Sequence, residues 1–269
     1  MNKKRLTDRI YELDLLRAVA VFLMIFDHAM FDLWGLFPGV FENYPGYEGI
    51  GRTLFLFSRD YWSWDVRLCV RYVVVFVFLA LVGISCSFSR SNIKRGLKLG
   101  VVALLLSAVT GVVGAATGEM DLVILFGVLH CIALGIIAVG IVEKITKNKW
   151  VYLVLGVLST AIGIFVVGVD VPYVTPNTSE LFSQIIDSAV GTVMCGGDSF
   201  PVFLNCGQIF IGVFLGKQLY RERRSLFSLE YKNGLVSFVG RHSLPVYVLH
   251  QGIIPVILGA LLMALGYHF

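Results

Sequence analysis

Residues 12–34 read ELDLLRAVAVFLMIFDHAMFDLW. Twenty-three mostly apolar positions cover about 34 Å at ~1.5 Å per residue, enough to cross ~30 Å of hydrocarbon. The same stretch carries Asp14, Arg17, Asp27, His28 and Asp32. A cleaved leader has no use for such groups, and no convincing small-residue cleavage site follows, so the stretch reads as a permanent first span. The basic cluster Lys3, Lys4, Arg5 and Arg9 before it places the N-terminus in the cytoplasm.

The rest of the chain follows the same solvent. Over 269 residues it is 57% hydrophobic and 15% charged, with mean hydropathy +0.80, against roughly 45–50% apolar and ~25% charged in soluble domains. No soluble fold of this size hides that much apolar surface. The expected fold is therefore all-α, a polytopic transmembrane bundle of about seven spans forming a single domain over 1–269. The spans read as roughly 12–34, 69–89, 98–117, 122–142, 150–169, 200–220 and 243–265. The third and fourth are parted only by Gly118–Asp121, which predicts a tight helical hairpin. Gly127, Gly135 and Gly140 suit close helix packing in lipid, and suit equally the ordinary composition of membrane helices.

Loop charge sets the expected orientation. With the N-terminus inside, 17 Lys and Arg residues fall on the inner side, while the outer side has only Arg52, Arg59, Arg67 and Arg71; the C-terminus then lies outside. No Lys or Arg occurs from Trp150 to Gly216, in keeping with an external loop between the fifth and sixth spans. The net charge of +4 is spread as loop anchors, which argues against a nucleic-acid partner. The five cysteines say little: Cys86 and Cys131 lie within spans, five cannot all pair, and an approach of Cys195 to Cys206 near the outer face is open only as a minority reading. The loop from Gly35 to Leu68 holds Tyr44, Tyr47, Tyr61, Trp62 and Trp64, either an interfacial aromatic belt or a lid that stacks on sugar rings.

Chemistry is sought where ionisable groups lie within spans, because such groups are costly in lipid and mark functional paths. Counting ~1.5 Å per residue from the span ends, Asp27 and His28, His130, and Asn205 with Gln208 fall about 8–12 Å below the outer surface. Asp14, Arg17, His250 and Gln251 fall near the inner one by the same count. Two polar layers suggest a passage through the bundle, or two networks that lock helices together.

At these residues the chain resembles a family. Leu13-Asp14-Leu15-Leu16-Arg17-Ala18-Val19-Ala20 with Met24 and Asp27-His28, then Phe78–Ser85, Phe126-Gly127-Val128-Leu129-His130-Cys131, and Gly240–Gln251 are similar, in order, to segments of the heparan-α-glucosaminide N-acetyltransferase-like membrane acyltransferases. Ala18 and Gly252 stand where that family favours Gly and Pro, and Leu204-Asn205-Cys206 replaces an aromatic, proline-rich stretch. The resemblance implies acetyl transfer from cytoplasmic acetyl-CoA to an extracytoplasmic amino sugar or glycan, in a bacterial plasma membrane, with a homodimer as the candidate assembly. It implies a cofactor-binding set of Arg17, Asp14, His250, Gln251 and Arg241, and a substrate-binding pair of Asn205 and Gln208.

For catalysis the residue types point to His28, since an imidazole titrates near neutrality and can take a proton from an attacking amine or hydroxyl. Asp32, four residues on, shares its helical face and is expected to orient it; Asp27 belongs to the same catalytic candidate set, with a place facing another helix as its alternative, because adjacent positions point ~100° apart. His130 is the competing base. No metal-ligand cluster, Walker-type loop or nucleophile elbow is present, and Gly83-Ile84-Ser85 lacks the strand an elbow needs. An O-acyltransferase of envelope polysaccharide remains open as an alternative, as does a small-solute transporter that uses the same Asp, His and Arg residues as a proton relay.

Overall fold

A computed structural model of the chain describes residues 10–36, 49–168, 170–227 and 234–267. Among these residues there are ten α-helices: α1 Tyr11–Phe31, α2 Ile50–Trp62, α3 Asp65–Ser87, α4 Asn92–Thr117, α5 Val128–Ile145, α6 Lys149–Val167, α7 Leu181–Val190, α8 Val202–Leu219, α9 Gly234–Arg241 and α10 Ser243–Ala264. Six of them, α3, α4, α5, α6, α8 and α10, are long and apolar enough to cross a membrane. Helix α1 has the length, with 21 residues, but carries Asp14, Arg17 and Asp27 along it. The expected all-α membrane bundle is the observed class. The helices divide into two compact units, residues 79–226 and residues 10–78 with 227–267.

In the first unit lipid is the solvent the surface requires. Leu97, Val101, Leu104, Leu105, Val109 and Val112 of α4 are all more than half exposed, a stripe at helical spacing that water would not tolerate. Inward-facing positions are small. An added Cβ on Gly83 of α3 would strike the Ile209 carbonyl of α8, and one on Gly212 of α8 would strike the Ala80 carbonyl. The two glycines let the backbones of α3 and α8 touch, which is how membrane helices gain packing without a hydrophobic drive between them. Gly135 and Gly140 also sit at close approaches, against Ile209 at 2.6 Å and Ile93 at 2.7 Å for the added carbon.

The tight hairpin expected at 118–121 is a longer excursion. Gly118, at φ +81°, ends α4. A single 3₁₀ turn at Met120–Leu122 follows, and residues 123–127 then leave the helical path, making isolated bridges from Ile124 to Gly196 and from Phe126 to Ser199 with a bend at Leu125 between them. The run Val123-Ile124-Leu125 favours extended backbone, and Gly127, also extended, starts α5 only at Val128. Between α6 and α8 lie a two-residue parallel pair, β1 Tyr173–Val174 with β2 Met194–Cys195, and helix α7. The polarity of α7 is inverted. Gln184 and Ser188 are buried, bonded to Asn177, Thr175 and Ser199, while Leu181, Phe182 and Ile186 face outward. Burial there is driven by hydrogen bonds, and the apolar face is left for an apolar medium.

The second unit is built on α1. Ala18 and Val21 pack with Val239 of α9, and Met24, Ile25, Phe78 and Val246 close around them. An added Cβ on Gly240 would strike the Asp14 carbonyl, so α9 lies directly on the first turns of α1. At its far end α1 continues into one π-helical turn, Asp32–Leu36.

Cys195 and Cys206, the pairing left open as a minority reading, do not meet. All five thiols are free, and the neighbour of Cys206 is Cys131, with their sulfurs 3.9 Å apart; Cys195 packs instead with Val123 and Leu125. The 123–127 segment runs between them, with Val123 and Leu125 packed on Cys195 and Phe126 packed on Cys206.

Candidate functional site

Polar side chains converge where α1 meets α10. His28 and His250 stand edge to face, with ring centroids 4.8 Å apart and planes at 68°. One turn beyond His28, Asp32 accepts a hydrogen bond from Gln251 Nε2 at 3.1 Å and is only 1% exposed. The depth count placed His250 and Gln251 in a separate inner layer; they lie instead beside His28 and Asp32. That count began at Ser243, but Val239 and Gly240 already pack against Val21 and Asp14. Helix α9 occupies the positions beside the first turns of α1, so α10 starts further along α1 than a count from Ser243 assumes.

Hydrogen positions in this cluster follow from its partners. His28 Nδ1 lies 2.8 Å from the Met24 carbonyl, and His250 Nδ1 bonds to the Tyr247 carbonyl. A carbonyl only accepts, so Nδ1 carries the hydrogen in both rings and Nε2 presents a lone pair when the ring is neutral. His250 Nε2 and Asp32 Oδ2 are buried without a partner, and His28 Nε2 has none among the described residues. Asp32 does not hydrogen-bond His28, so the Met24 carbonyl, and not Asp32, orients that ring. Pro255 inside α10 has no N–H to give to the Gln251 carbonyl, which leaves another acceptor at this level. π-Helical turns recur at functional sites, and here one begins at Asp32 itself.

Asp27 faces away from this cluster, as adjacent helical positions must. Arg67 Nε donates to its Oδ1 at 2.8 Å and Arg67 Nη2 to its Oδ2 at 3.1 Å, and the Tyr61 hydroxyl adds a third bond at 3.0 Å. The guanidinium lies 3.0 Å from the centre of the Trp62 ring. Trp62 in turn packs on Phe31 and Trp34. Burial, with the Asp27 carboxylate beside it, pushes the Tyr61 hydroxyl up to about 12, so it serves as a donor. Sequence reasoning missed this clamp because Arg67 counted as an outer-loop charge. The available signal was Asp27 itself, a carboxylate in a span that needs a cation. Tyr61, Trp62 and Trp64 are engaged with one another and with α1, while Tyr44 and Tyr47 lie outside the described residues.

At the other end of α1, Arg17 Nη1 pairs with Asp14 at 3.0 Å, and Gly240 against Asp14 brings Arg241 to the same end of the unit. Arg17 and His28 are eleven residues apart on one helix, or ~16 Å along its axis.

In the 79–226 unit the polar groups are differently committed. His130 Nδ1 accepts from the Gly127 N–H at 3.3 Å, and Nε2 lies 3.3 Å from Ser107 Oγ. With Nδ1 accepting, Nε2 carries the hydrogen and donates to Ser107, so the neutral ring has no free lone pair. Asp198 Oδ2 accepts from the Val128 N–H at 2.9 Å, holding the start of α5. Asn205 Nδ2 donates to the Pro201 carbonyl at 2.8 Å, and Gln208 Oε1 is buried without a partner. Among the described residues no group of three or more His, Cys, Asp and Glu is arranged to hold a metal ion.

Six long apolar helices, together with two imidazoles and a buried carboxylate where α1 meets α10, define a polytopic membrane protein with a buried polar site. The chain matches the family model for the catalytic region of heparan-alpha-glucosaminide N-acetyltransferase over residues 52–252, and it belongs to that family of membrane acyltransferases. The matched residues include Arg67, His130, Asn205, Gln208, His250 and Gln251; His28 and Asp32 precede them. Comparison with curated proteins and with solved structures gives no match.

Proposed function

We propose that the protein transfers an acetyl group from cytoplasmic acetyl-CoA to an amino sugar or other glycan on the opposite face of a bacterial plasma membrane, with His28 as the base. One observation carries this reading. The cluster at His28, His250 and Asp32 offers acceptors without donors, and buried acceptors left unpaired cost about 1–3 kcal/mol each. An amine or hydroxyl bound there supplies the missing N–H or O–H.

The geometry supports a direct transfer. The acceptor amine donates to His28 Nε2 and attacks the thioester carbonyl carbon. The proton moves to Nε2 as the C–N bond forms, the C–S bond breaks, and the leaving sulfur takes the proton back to give the CoA thiol. The Met24 carbonyl fixes the tautomer this needs, while Asp32 and Gln251 orient the acceptor. Arg17, Asp14 and Arg241, at the inner end of α1, form the donor end, where cations meet phosphates; the ~16 Å to His28 is a distance for an extended pantetheine arm. Gln208 and Asn205 are proposed to bind acceptor hydroxyls. His130, with both nitrogens engaged, is assigned a structural role.

Purified protein in sealed proteoliposomes, supplied with labelled acetyl-CoA on one side and glucosamine on the other, tests the reading. Acetyl-CoA-dependent labelling of the sugar is expected. Proton flux without any consumption of acetyl-CoA would replace the enzyme by a proton-coupled transporter.

A further inference from the structure

A second polar site lies in the 79–226 unit, apart from the His28 cluster. The start of α4 and the end of α5 enclose a cleft of about 330 Å³ lined by Arg90, Ser91, Asn92, Gly140, Glu143, Lys144 and Lys147, within the ~300–1,000 Å³ of small-ligand sites. Gly140 makes the cleft possible, because an added Cβ there would sit 2.9 Å from Ile93 N and 3.3 Å from Asn92 Cβ; only glycine lets α5 come this close to the first turn of α4.

Its charges are unevenly satisfied. Glu143 is occupied from within: Oε2 accepts from Asn92 Nδ2 at 2.8 Å, and Oε1 lies 3.9 Å from Lys217 Nζ. Lys147 reaches the Glu143 carbonyl at 3.0 Å. Arg90 and Lys144 have no ion-pair partner among the described residues. No side chain caps the first turn of α4 at Ser91, so the positive end of that helix dipole adds to theirs. Asn92 is 2% exposed, and its Oδ1 has no donor. Cations at the rim and an orphaned acceptor below them match a ligand that carries a phosphate with a hydrogen-bond donor beside it.

We propose that this cleft binds such a phosphate ester, taken either from a phospholipid headgroup of the adjoining leaflet or from a soluble nucleotide. Arg90, Lys144, Lys147 and the start of α4 hold the phosphate, and the Asn92 carbonyl accepts from the neighbouring hydroxyl or amine. The site is independent of the acyl-transfer reading, since none of its residues belongs to the His28 cluster.

The test uses the full-length protein and the double variant Lys144→Gln/Lys147→Gln, with Lys94→Gln/Lys98→Gln as a control that removes the same charge from the same end of α4 outside the cleft. Binding is read two ways: retention of phosphatidylglycerol over phosphatidylcholine by native mass spectrometry, and affinity for cytidine 5′-monophosphate, which is no part of coenzyme A, by calorimetry. A tenfold or greater loss of lipid retention in the cleft variant, with the control unchanged, establishes the site with a lipid ligand. The same pattern for the nucleotide establishes it with a soluble one. If the wild type prefers neither ligand, or if the control loses as much as the cleft variant, the proposal is wrong.

Discussion

Replacing Arg67 by Met removes the guanidinium while keeping a stem that packs against Trp62. Asp27 then loses two of its three hydrogen bonds and keeps only the Tyr61 hydroxyl at 3.0 Å. The side chains of the pair are 7% and 21% exposed, so this is a largely buried ion pair, and breaking one commonly costs 3–5 kcal/mol. Because Asp27 keeps a fifth of its surface, the lower end applies, about 3 kcal/mol, with about 1 kcal/mol more from the lost contact between the guanidinium and the Trp62 ring. Asp27→Asn should cost a comparable amount, since the amide can still pair with Tyr61 but the Arg67 guanidinium, the more buried partner at 7% exposed, is left without a counter-charge. The double variant should be less destabilised than the sum of the singles by about 1.5–3 kcal/mol, the coupling expected of groups in direct contact. Reversible unfolding in mixed micelles, run as a double-mutant cycle, measures all four stabilities. Single variants within about 0.5 kcal/mol of wild type, the range of ordinary surface changes, or strict additivity, would show that the clamp does not hold α1, α2 and α3 together.

Gly212→Ala should destabilise the 79–226 unit by about 1–3 kcal/mol, because the new methyl meets backbone atoms of Ala80 that cannot rotate away; a thermal midpoint equal to wild type would mean that α3 and α8 do not pack as described. A reporter joined after Phe269 should be active outside the cytoplasm and one near Arg223 inside it, from the 17-to-4 basic asymmetry; a cytoplasmic C-terminus would mean the span count is off by one.

The helical class and the rough place of each span were legible because hydropathy over some twenty residues is a strong, local signal. The boundaries that slipped did so for non-local reasons. Residues 123–127 are apolar enough to continue a span, yet Ile124 and Phe126 bridge to Gly196 and Ser199, some seventy residues away. The site was half legible: His28, Asp32, His250 and Gln251 were each singled out, but their meeting depends on α9 moving the start of α10 further along α1, which no count along one helix can register. Arg67 was missed because its charge was read as a loop anchor, when its partner was the very carboxylate that had drawn attention on α1. The unequal standing of the two histidines is visible only from hydrogen-bond partners. His130 spends its lone pair on the Gly127 N–H, while His28 spends its hydrogen on a carbonyl.

The most direct test is turnover of His28→Ala against its binding of acetyl-CoA, with His130→Ala alongside. If His28 is the base, acetyl transfer to glucosamine should fall by about 10²–10⁴-fold while donor affinity stays within twofold of wild type, and His130→Ala should retain most of its activity in the folded fraction. Near-wild-type transfer by His28→Ala, or a larger loss in His130→Ala, would contradict the assignment of the site to the meeting of α1 and α10.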